Sequence, residues 1–309
     1  MYISILLATY NGEKFLQEQL NSILNQSYSN WHLYIHDDNS TDNTVKIIKE
    51  YVSKYPDHIT FFDDDISFKS ASLNFSYLMQ KVSSDYLMFC DQDDVWKRDK
   101  IEVTLEKMKE AEKRYPQKPI LVHTDLEVVD ENLNTIDKSM MHYQGLNPYK
   151  KDFYHFVVQN KITGCTVMIN SALAKLAQPI DSEAIMHDWW IALVASAFGK
   201  IAYVPKSTIL YRQHTANDTG AKAFDKAFIL KQAKELFTSD EKDVWSKYLI
   251  QARAFFKQYG DKLTPYHKEA LEAFCKLDEM AWHKRVYILM KYRFLKQGLL
   301  RNIGLFLKL

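Results

Sequence analysis

The feature that most constrains the fold is an apolar run that ends in a cluster of acids. Residues 86–90 have the length and aromatic content of a strand buried on both faces, and Asp91, Asp93 and Asp94 follow almost at once. Open α/β sheets bind ligands at the carboxyl ends of their strands, and carboxylates this close repel one another unless a cation lies between them. The cluster therefore predicts a site for a divalent cation and a nucleotide diphosphate. An acidic turn that caps the helix near Asp99 is the alternative.

Two earlier loops occupy the same position at the end of a strand. A strand over residues 2–8 precedes the loop 9–12, and a strand over residues 32–36 precedes the polar loop 37–44. Each loop is followed by apolar residues at helical spacing, so a right-handed parallel sheet would bring the loops and the acid cluster to one rim. No glycine-rich phosphate loop follows the first strand, so a bound diphosphate would have to be neutralised by metal.

Composition limits the class of protein. The 309 residues suffice for one α/β domain with an appendage, and 40 Lys+Arg against 39 Asp+Glu give no overall charge that would favour nucleic acid. The three cysteines are far apart and lack the spacing of metal ligands, which favours reduced thiols in a cytosolic protein rather than a zinc site. Because a strand is predicted from residue 2 and no apolar run reaches the roughly 18 residues that span a bilayer, we expect neither secretion nor a bilayer-spanning segment.

Four motifs in this order carry a family resemblance. They are Thr9-Tyr10-Asn11-Gly12, the loop 37–44, Asp91-Gln92-Asp93-Asp94 and His187-Asp188-Trp189-Trp190. Together they resemble glycosyltransferase family two, inverting sugar-nucleotide enzymes of the GT-A fold, over residues 2 to about 215. With Gly164-Cys165-Thr166 and Tyr211-Arg212-Gln213-His214, the pattern is further similar to bacterial rhamnosyltransferases that build cell-wall polysaccharide.

The resemblance implies an α/β fold, with a GT-A-type, mostly parallel sheet flanked by helices. We expect a catalytic domain over residues 1–220, divided into a nucleotide-sugar half (about 1–125) and an acceptor half (about 126–220). A C-terminal helical region would follow over residues 221–309.

Several residues are candidates for binding the donor. Asp38, at the end of the second strand, can accept the imide N–H of uracil or thymine, although an Asx turn that caps the next helix is the structural alternative. By resemblance, the nucleotide would also contact Ala8, Thr9 and Asn11, and its ribose would lie near Asp91. The same resemblance implies the residues around the diphosphate: Asp93 and His214 as ligands of Mg²⁺ or Mn²⁺, Arg212 as a phosphate contact, and Asp94 as a cap or supporting residue.

Asp188 is the candidate catalytic base. An aspartate at the start of a helix is most often an N-cap. Beside it, however, Trp189 and Trp190 offer the flat aromatic faces that bind sugar rings, and a carboxylate in that position can take the proton of an acceptor hydroxyl. The resemblance implies the base at the same position. We expect one of the two tryptophans to belong to the core.

These assignments predict a metal-dependent inverting glycosyltransferase. By resemblance, the sugar would be L-rhamnose, carried by a dTDP- or UDP-sugar donor to a lipid-linked glycan acceptor in cell-wall or capsular polysaccharide synthesis. A transferase for glucose, galactose or N-acetylglucosamine is one alternative. A non-catalytic sugar-nucleotide-binding scaffold is another, although a scaffold would need none of Asp38, Asp93 and Asp188.

The last thirty residues are basic and apolar. Residues 280–309 contain seven Lys/Arg and no Asp or Glu, interleaved with aromatic and aliphatic side chains. Such a helix favours a membrane surface, with apolar side chains at the headgroup boundary and cations on anionic lipid, so we expect a peripheral protein at the inner face of the cytoplasmic membrane. The alternative is a helix packed on the catalytic domain or in the interface of a homo-oligomer.

Overall fold

The strands form one mixed sheet. A computed structural model describes residues 1–214, residue 223 and residues 242–309. Within those ranges the order is β3-β2-β1-β4-β8-β6-β9-β5, with β7 paired to β6. The strands are β1 Ile3–Thr9, β2 Trp31–Asp37, β3 Ile59–Phe62, β4 Tyr86–Cys90, β5 Val95–Trp96, β6 Ile120–Val129, β7 Thr135–Asp137, β8 Val167–Asn170 and β9 Lys200–Arg212.

Helices cover both faces of this sheet. In the described ranges they are α1 Leu16–Leu24, α2 Thr44–Lys54, α3 Ala71–Lys81, α4 Lys100–Arg114, α5 Met140–Tyr143, α6 Phe153–Val158, α7 Ser171–Ala177, α8 His187–Phe198, α9 Lys242–Tyr259, α10 Pro265–Cys275, α11 Trp282–Tyr292 and α12 Leu299–Leu307. Over the same ranges, no helix is long and apolar enough to cross a membrane.

Strand direction brings the candidate loops to one edge. Strands β1 to β4 run parallel, β8 runs antiparallel between β4 and β6, and β6 and β9 therefore run in the same direction as β4. The carboxyl ends of β1, β2, β4 and β6 consequently lie on the same rim. The expected α/β class, with most strands in one direction, is confirmed.

The C-terminal helices share a core with the sheet. One apolar cluster, which includes Phe89 of β4 and Trp190 of α8, extends to Phe255 in α9, Phe274 in α10 and Leu305 in α12. A second cluster packs α1, α2 and α4 on the opposite face. Helices α9 to α12 therefore continue the layer formed by α6 to α8. The expected boundary between residues 220 and 221 lies outside the described residues.

Two local features shape the strands near the rim. Residues 164–166 form a 3₁₀ turn, and β8 begins at Val167. The turn is held by the N–H and hydroxyl of Thr166, which both donate to the carbonyl of Thr163. Strand β9 continues from Lys200 to Arg212, although its register against β6 shifts at Pro205 and Lys206.

Candidate active site

The first two rim loops are bonded to each other through Asn11. Its N–H donates to Ser40 Oγ at 2.8 Å, and its Oδ1 accepts the N–H of Thr41 at 2.8 Å. Asn11 has a φ of +46°, a left-handed conformation that asparagine tolerates better than most residues. The side chain expected to contact the nucleotide therefore shapes the wall between the two loops.

Gln92 ties the acid cluster to the first loop. Its amide forms a pair of bonds with the backbone of Tyr10: Oε1 accepts the N–H at 2.8 Å, and Nε2 donates to the carbonyl at 2.9 Å. A Cβ at Gly12 would lie 2.4 Å from Gln92 Oε1, so a side chain at this position would displace the Gln92 amide from Tyr10. Gln92 was not identified from the sequence, where its only signal is an uncharged residue inside a row of acids.

Two adjacent carboxylates organise the end of β2. Asp37 accepts the hydroxyl of Thr9 at 2.7 Å and the N–H of Ser40 at 2.7 Å. Asp38 is buried and accepts two backbone N–H groups, from Phe68 at 2.6 Å and from Ser70 at 3.3 Å. Because a carboxylate offers about four acceptor positions, these two bonds hold Asp38 in place and leave it able to accept a base imide as well. Ala8 lies half-buried near the end of β1.

The acid cluster contains a donor set that suits a hard divalent cation. His214 Nε2 lies 2.8 Å from Asp93 Oδ2, and the imidazole packs over the ring of Phe15 with centroids 5.0 Å apart. Asp91 and Asp93 are both half-buried. The Asp93 carboxylate and the His214 imidazole are both ligand types that Mg²⁺ and Mn²⁺ accept, so the two residues predicted from sequence fit such an ion.

An inner group of acids lies behind this set. Asp91, Asp94 and Cys165 each have one possible ligand atom in this group, and these three atoms lie within 4.8 Å of one another. Burial raises the pKa of the Cys165 thiol, so it stays protonated at neutral pH and is a poor ligand for a hard cation. Asp94 is fully buried, with its pKa raised by burial and by its acidic neighbours, and the N–H of Arg212 donates to its Oδ1. Asp93 and His214 are therefore the residues that could hold a cation, and Asp94 lies behind them.

Lys100 lies beneath the acids and was not identified from the sequence. It opens α4, it is fully buried, and its Nζ has no hydrogen-bond partner among the described residues. The ammonium lies 4.6 Å from the centroid of the Trp96 ring. Burial lowers the pKa of Lys100 to about 8, and this lowering is partly offset by Cys165, Cys90, Asp94 and Asp91. Lys100 thus places a positive charge behind the carboxylates.

Arg212 has a different role from the one expected. Its guanidinium donates to the carbonyls of Asp93 and Glu131 and to the carboxylate of Glu18, and it lies over the Phe15 ring at 4.3 Å. The residue is only 2% exposed. The predicted phosphate contact is therefore replaced by a structural role, because the charge is directed into the protein and supports the backbone of the acid cluster.

Asp188 lies in the first turn of α8 and is held by two donors. The N–H of Gly164 donates to Oδ2 at 2.9 Å, and Nδ2 of Asn160 donates to Oδ1 at 3.1 Å. Burial raises the pKa of Asp188 to about 7, against the lowering effect of these hydrogen bonds. A carboxylate with that pKa can accept a proton near neutral pH. A Cβ at Gly164 would lie 2.8 Å from His187 Nε2, so the turn leaves no room for a side chain.

One short turn connects Asp188 to the acid cluster. Gly164 donates to Asp188, and the next residue, Cys165, lies against Asp91 and Asp94. Consecutive Cα atoms are about 3.8 Å apart, so the turn 164–166 brings the candidate base and the candidate cation site to neighbouring positions on the rim. This proximity could not be derived from the sequence spacing.

Only one of the two tryptophans can meet an acceptor. Trp190 is fully buried, packs on Phe255 and Tyr259, and donates its indole N–H to the carbonyl of Ala177. This corrects its assignment as an acceptor contact, since it has no exposed face. Trp189 is half-buried and donates its indole N–H to the carbonyl of Phe156, so the predicted acceptor contact is limited to Trp189.

The comparisons with known proteins agree with this geometry. The family model described as Glycosyl transferase family 2 matches residues 4–176. Over 241 residues the chain is 30% identical to the dTDP-rhamnosyl transferase RfbG of Shigella flexneri, which covers 72% of this chain and 76% of that protein.

Solved structures show the same fold at low identity. Residues 1–349 of TarS from S. aureus, in complex with UDP-GlcNAc, align with a TM-score of 0.55 at 17% identity, covering 95% of this chain and 85% of that one. The mannosyltransferase PcManGT from Pyrobaculum calidifontis, in complex with GDP-Man and Mn2+, aligns with a TM-score of 0.52 at 13% identity, covering 98% and 77%. The fold is that of the GT-A glycosyltransferases, and the match over more than half of its length shows that the chain belongs to glycosyl transferase family 2.

Proposed function

We propose that this glycosyltransferase is a metal-dependent, inverting rhamnosyltransferase. It transfers L-rhamnose from a dTDP- or UDP-sugar to a lipid-linked glycan in cell-wall or capsular polysaccharide synthesis. The observation that carries the proposal is the turn 164–166, which bonds to Asp188 on one side and contacts Asp91 and Asp94 on the other. A base beside a nucleotide-diphosphate site is the arrangement that glycosyl transfer requires.

Different residues of the donor site bind different parts of the nucleotide. Asp38 accepts the imide of the base, the loops that contain Ala8, Thr9 and Asn11 form the wall of the site, and Asp91 lies near the ribose. Asp93 and His214 would hold Mg²⁺ or Mn²⁺. When bound, that ion offsets the charge that develops on the leaving diphosphate.

The acceptor reacts in one displacement. Asp188 takes the proton of an acceptor hydroxyl, whose oxygen bonds to the anomeric carbon while the bond from that carbon to the diphosphate oxygen breaks. Because the attack comes from the face opposite the leaving group, the configuration at the anomeric carbon inverts. Trp189 offers an aromatic face to the acceptor. The pKa of Asp188, about 7, suits a base that works at neutral pH.

A donor screen tests the function. The purified chain with Mn²⁺ is given dTDP-rhamnose, dTDP-glucose, UDP-glucose, UDP-galactose and UDP-GlcNAc, and the release of nucleoside diphosphate is measured. We expect the fastest release with dTDP-rhamnose, because the relative from Shigella flexneri is described as a dTDP-rhamnosyl transferase. Faster release with a UDP-sugar would assign another sugar. No release with any donor, but binding of the nucleotides, would favour the scaffold.

The C-terminal helices supply a surface for membrane binding. In α11, Trp282, Tyr287 and Met290 are 60%, 62% and 55% exposed, and in α12, Leu299 and Leu307 are 77% and 67% exposed. The opposite faces pack in the core, where Leu289 and Leu305 are buried. Helices α11 and α12 therefore dock on the catalytic domain and present a second apolar face outward. We propose that this face binds anionic lipid at the inner face of the cytoplasmic membrane.

Point substitutions test the membrane proposal better than a truncation. Removing residues 280–309 would take core residues with it, so we choose the exposed positions Leu299→Ser and Leu307→Ser, with Ile250→Ser on α9 as the control. We expect co-sedimentation with phosphatidylglycerol vesicles to weaken in the first two variants and to remain in the control. Equal binding in all three variants would mean that α12 does not contact the membrane, and self-association of the chain would then be tested by sedimentation.

A further inference from the structure

The acceptor half contains a cluster of basic side chains without a balancing anion. Lys161 is only 6% exposed, and among the described residues it forms no ion pair. Its Nζ makes one hydrogen bond, to the carbonyl of Asn147 at 3.4 Å, and lies 5.2 Å from the Phe156 ring. Burial and the nearby charge of Lys151 lower the pKa of Lys161 to about 7. A buried ammonium with so little compensation is costly for the fold.

A second lysine faces the same region. Lys151 is half-buried, and its Nζ donates to the carbonyl of Ile201 at 2.7 Å. It also forms no ion pair with a carboxylate in the described ranges. Asp152 lies near enough to raise the pKa of Lys161, and Lys150 acts in the opposite direction. The charges of Lys151 and Lys150 around Lys161 are therefore opposed by one carboxylate, that of Asp152.

A buried histidine completes the cluster. His123, on β6, is fully buried, and neither ring nitrogen has a hydrogen-bond partner among the described residues. Its ring packs against Tyr203 with centroids 4.9 Å apart, and Tyr149 packs edge-on against Tyr203. Burial, and after it the charges of Lys161 and Lys151, lower the pKa of His123 to about 3, so its ring is neutral at pH 7. A neutral, polar ring beside two lysines that form no ion pair among the described residues favours an anion at this place.

The cluster lies next to the candidate base and the C-terminal helices. Asn160, which donates to Asp188, directly precedes Lys161. Asn147, which accepts from Lys161, donates its N–H to Gln297 Oε1 at 2.6 Å, and Arg301 of α12 donates to the carbonyls of Gln144 and Gly145. The same loop therefore joins the lysines to the helix whose apolar face is exposed.

We propose that Lys151 and Lys161 bind the diphosphate group of a lipid-linked acceptor, with His123 lying behind them in the sheet. The inference rests on the proposed function, and it adds the chemical group by which the acceptor is recognised. The donor diphosphate belongs to Asp93 and His214 on the other side of the turn 164–166. The second group of phosphates would lie beside α12, where a lipid chain can follow the exposed leucines.

Farnesyl diphosphate, pyrophosphate and farnesol serve as probes. Binding to the full chain is measured by calorimetry in EDTA, with Lys161→Met, Lys151→Met and the charge-retaining Lys161→Arg as variants. Lys150→Met is the matched control, because Lys150 carries the same charge in the same loop but is exposed. Loss of a charge-assisted hydrogen bond should weaken binding of farnesyl diphosphate roughly tenfold to hundredfold in Lys161→Met, with partial recovery in Lys161→Arg.

The outcomes separate the sources of the anion. We expect wild type and Lys150→Met to bind farnesyl diphosphate more tightly than pyrophosphate, and farnesol weakly. Absence of binding, or equal weakening in Lys150→Met and Lys161→Met, would overturn the proposal. Pyrophosphate bound as tightly as farnesyl diphosphate would overturn the lipid assignment and identify free phosphate as the occupant. Release of nucleoside diphosphate from the donor, measured separately, tests the proposed function without this site.

Discussion

Lys100 and Lys161 are both buried, but their surroundings differ. Burial lowers the pKa of both lysines. Behind the donor loops, the lowering at Lys100 is opposed by Cys165, Cys90, Asp94 and Asp91. Behind the acceptor loop, the charge of Lys151 adds to the lowering at Lys161, and only Asp152 opposes it. The first lysine is balanced by charges within the protein, and the second is not.

The hydrogen bonds of the two regions differ in the same way. On the donor side, Asn11 and Gln92 join the three rim loops through backbone groups. On the acceptor side, His123 and His187 are fully or nearly buried, and each has two ring nitrogens without a partner in the described chain. The three donor loops are thus joined to one another by the protein, whereas the two histidines of the acceptor side lack such bonds. Behind the donor loops, Lys100 Nζ and Asp94 Oδ2 are also without a partner in the described chain.

The largest effect is expected at the cation site. Asp93→Ala removes a carboxylate 2.8 Å from His214, so the diphosphate loses the ion that neutralises it, and transfer should fall by roughly 10³-fold or more. Chelation of the metal by EDTA should lower the transfer rate of the wild type in the same way. Nucleoside diphosphate release is the measurement, and Asp261→Ala, an exposed residue on the C-terminal side, is the control. Full activity of Asp93→Ala, or of wild type in EDTA, would show that Asp93 holds no essential metal.

The next effect separates the base from the donor site. Asp188→Asn keeps the shape of the side chain but cannot take a proton, so kcat should fall by roughly 10²- to 10⁴-fold with little change in donor affinity. Calorimetric titration with the nucleotide and a rate assay give the two quantities. If nucleotide affinity falls as much as kcat does, Asp188 supports the donor site and is not the base.

The sequence predicted the rim because its signals are local. An apolar strand followed at once by acids identifies both β4 and the loop that binds charge, and the same logic located the loops after β1 and β2. Asp188 was located by its neighbours in the chain. Each of these predictions depends on residues within about ten positions of one another.

The features that were not predicted from the sequence depend on contacts between residues that are far apart in the chain. Lys100 looks like a surface lysine at the start of a charged helix, yet the packing of α4 buries it. Arg212 follows a strand end as a phosphate ligand would, but the Glu18 carboxylate and the Glu131 carbonyl take up its guanidinium. Trp190 is adjacent to Trp189, and only the packing of α9 decides which of them is core.

Double-mutant cycles compare the two lysines directly. For Lys100→Met with Asp94→Asn, each single change leaves an unbalanced group, so the double variant should be more stable than the sum predicts. For Lys161→Met with Lys151→Met, either single change already removes the repulsion between the two lysines. The double variant should therefore be less stable than the sum of the single changes predicts, which is a coupling energy of the opposite sign. We expect couplings of about 0.5 to 3 kcal/mol in urea unfolding without metal. Coupling energies of the same sign in the two cycles would show that Lys100 and Lys161 do not differ in their electrostatic surroundings.

The smallest effect is a shift of the pH profile. Asn160 Nδ2 donates to Asp188 Oδ1, and its own Oδ1 accepts the N–H groups of Lys161 and Ile162. Asn160→Asp keeps those acceptor bonds but replaces the donor with a second carboxylate, which disfavours the charged form of Asp188. Since the base must be deprotonated, the acid limb of kcat, expected near pH 7 in wild type, should move to higher pH by roughly one unit. The plateau rate at high pH should change little, and the exposed Asn132→Ala serves as the control. A lower plateau with an unmoved limb would mean that Asn160 maintains the loop without tuning the base.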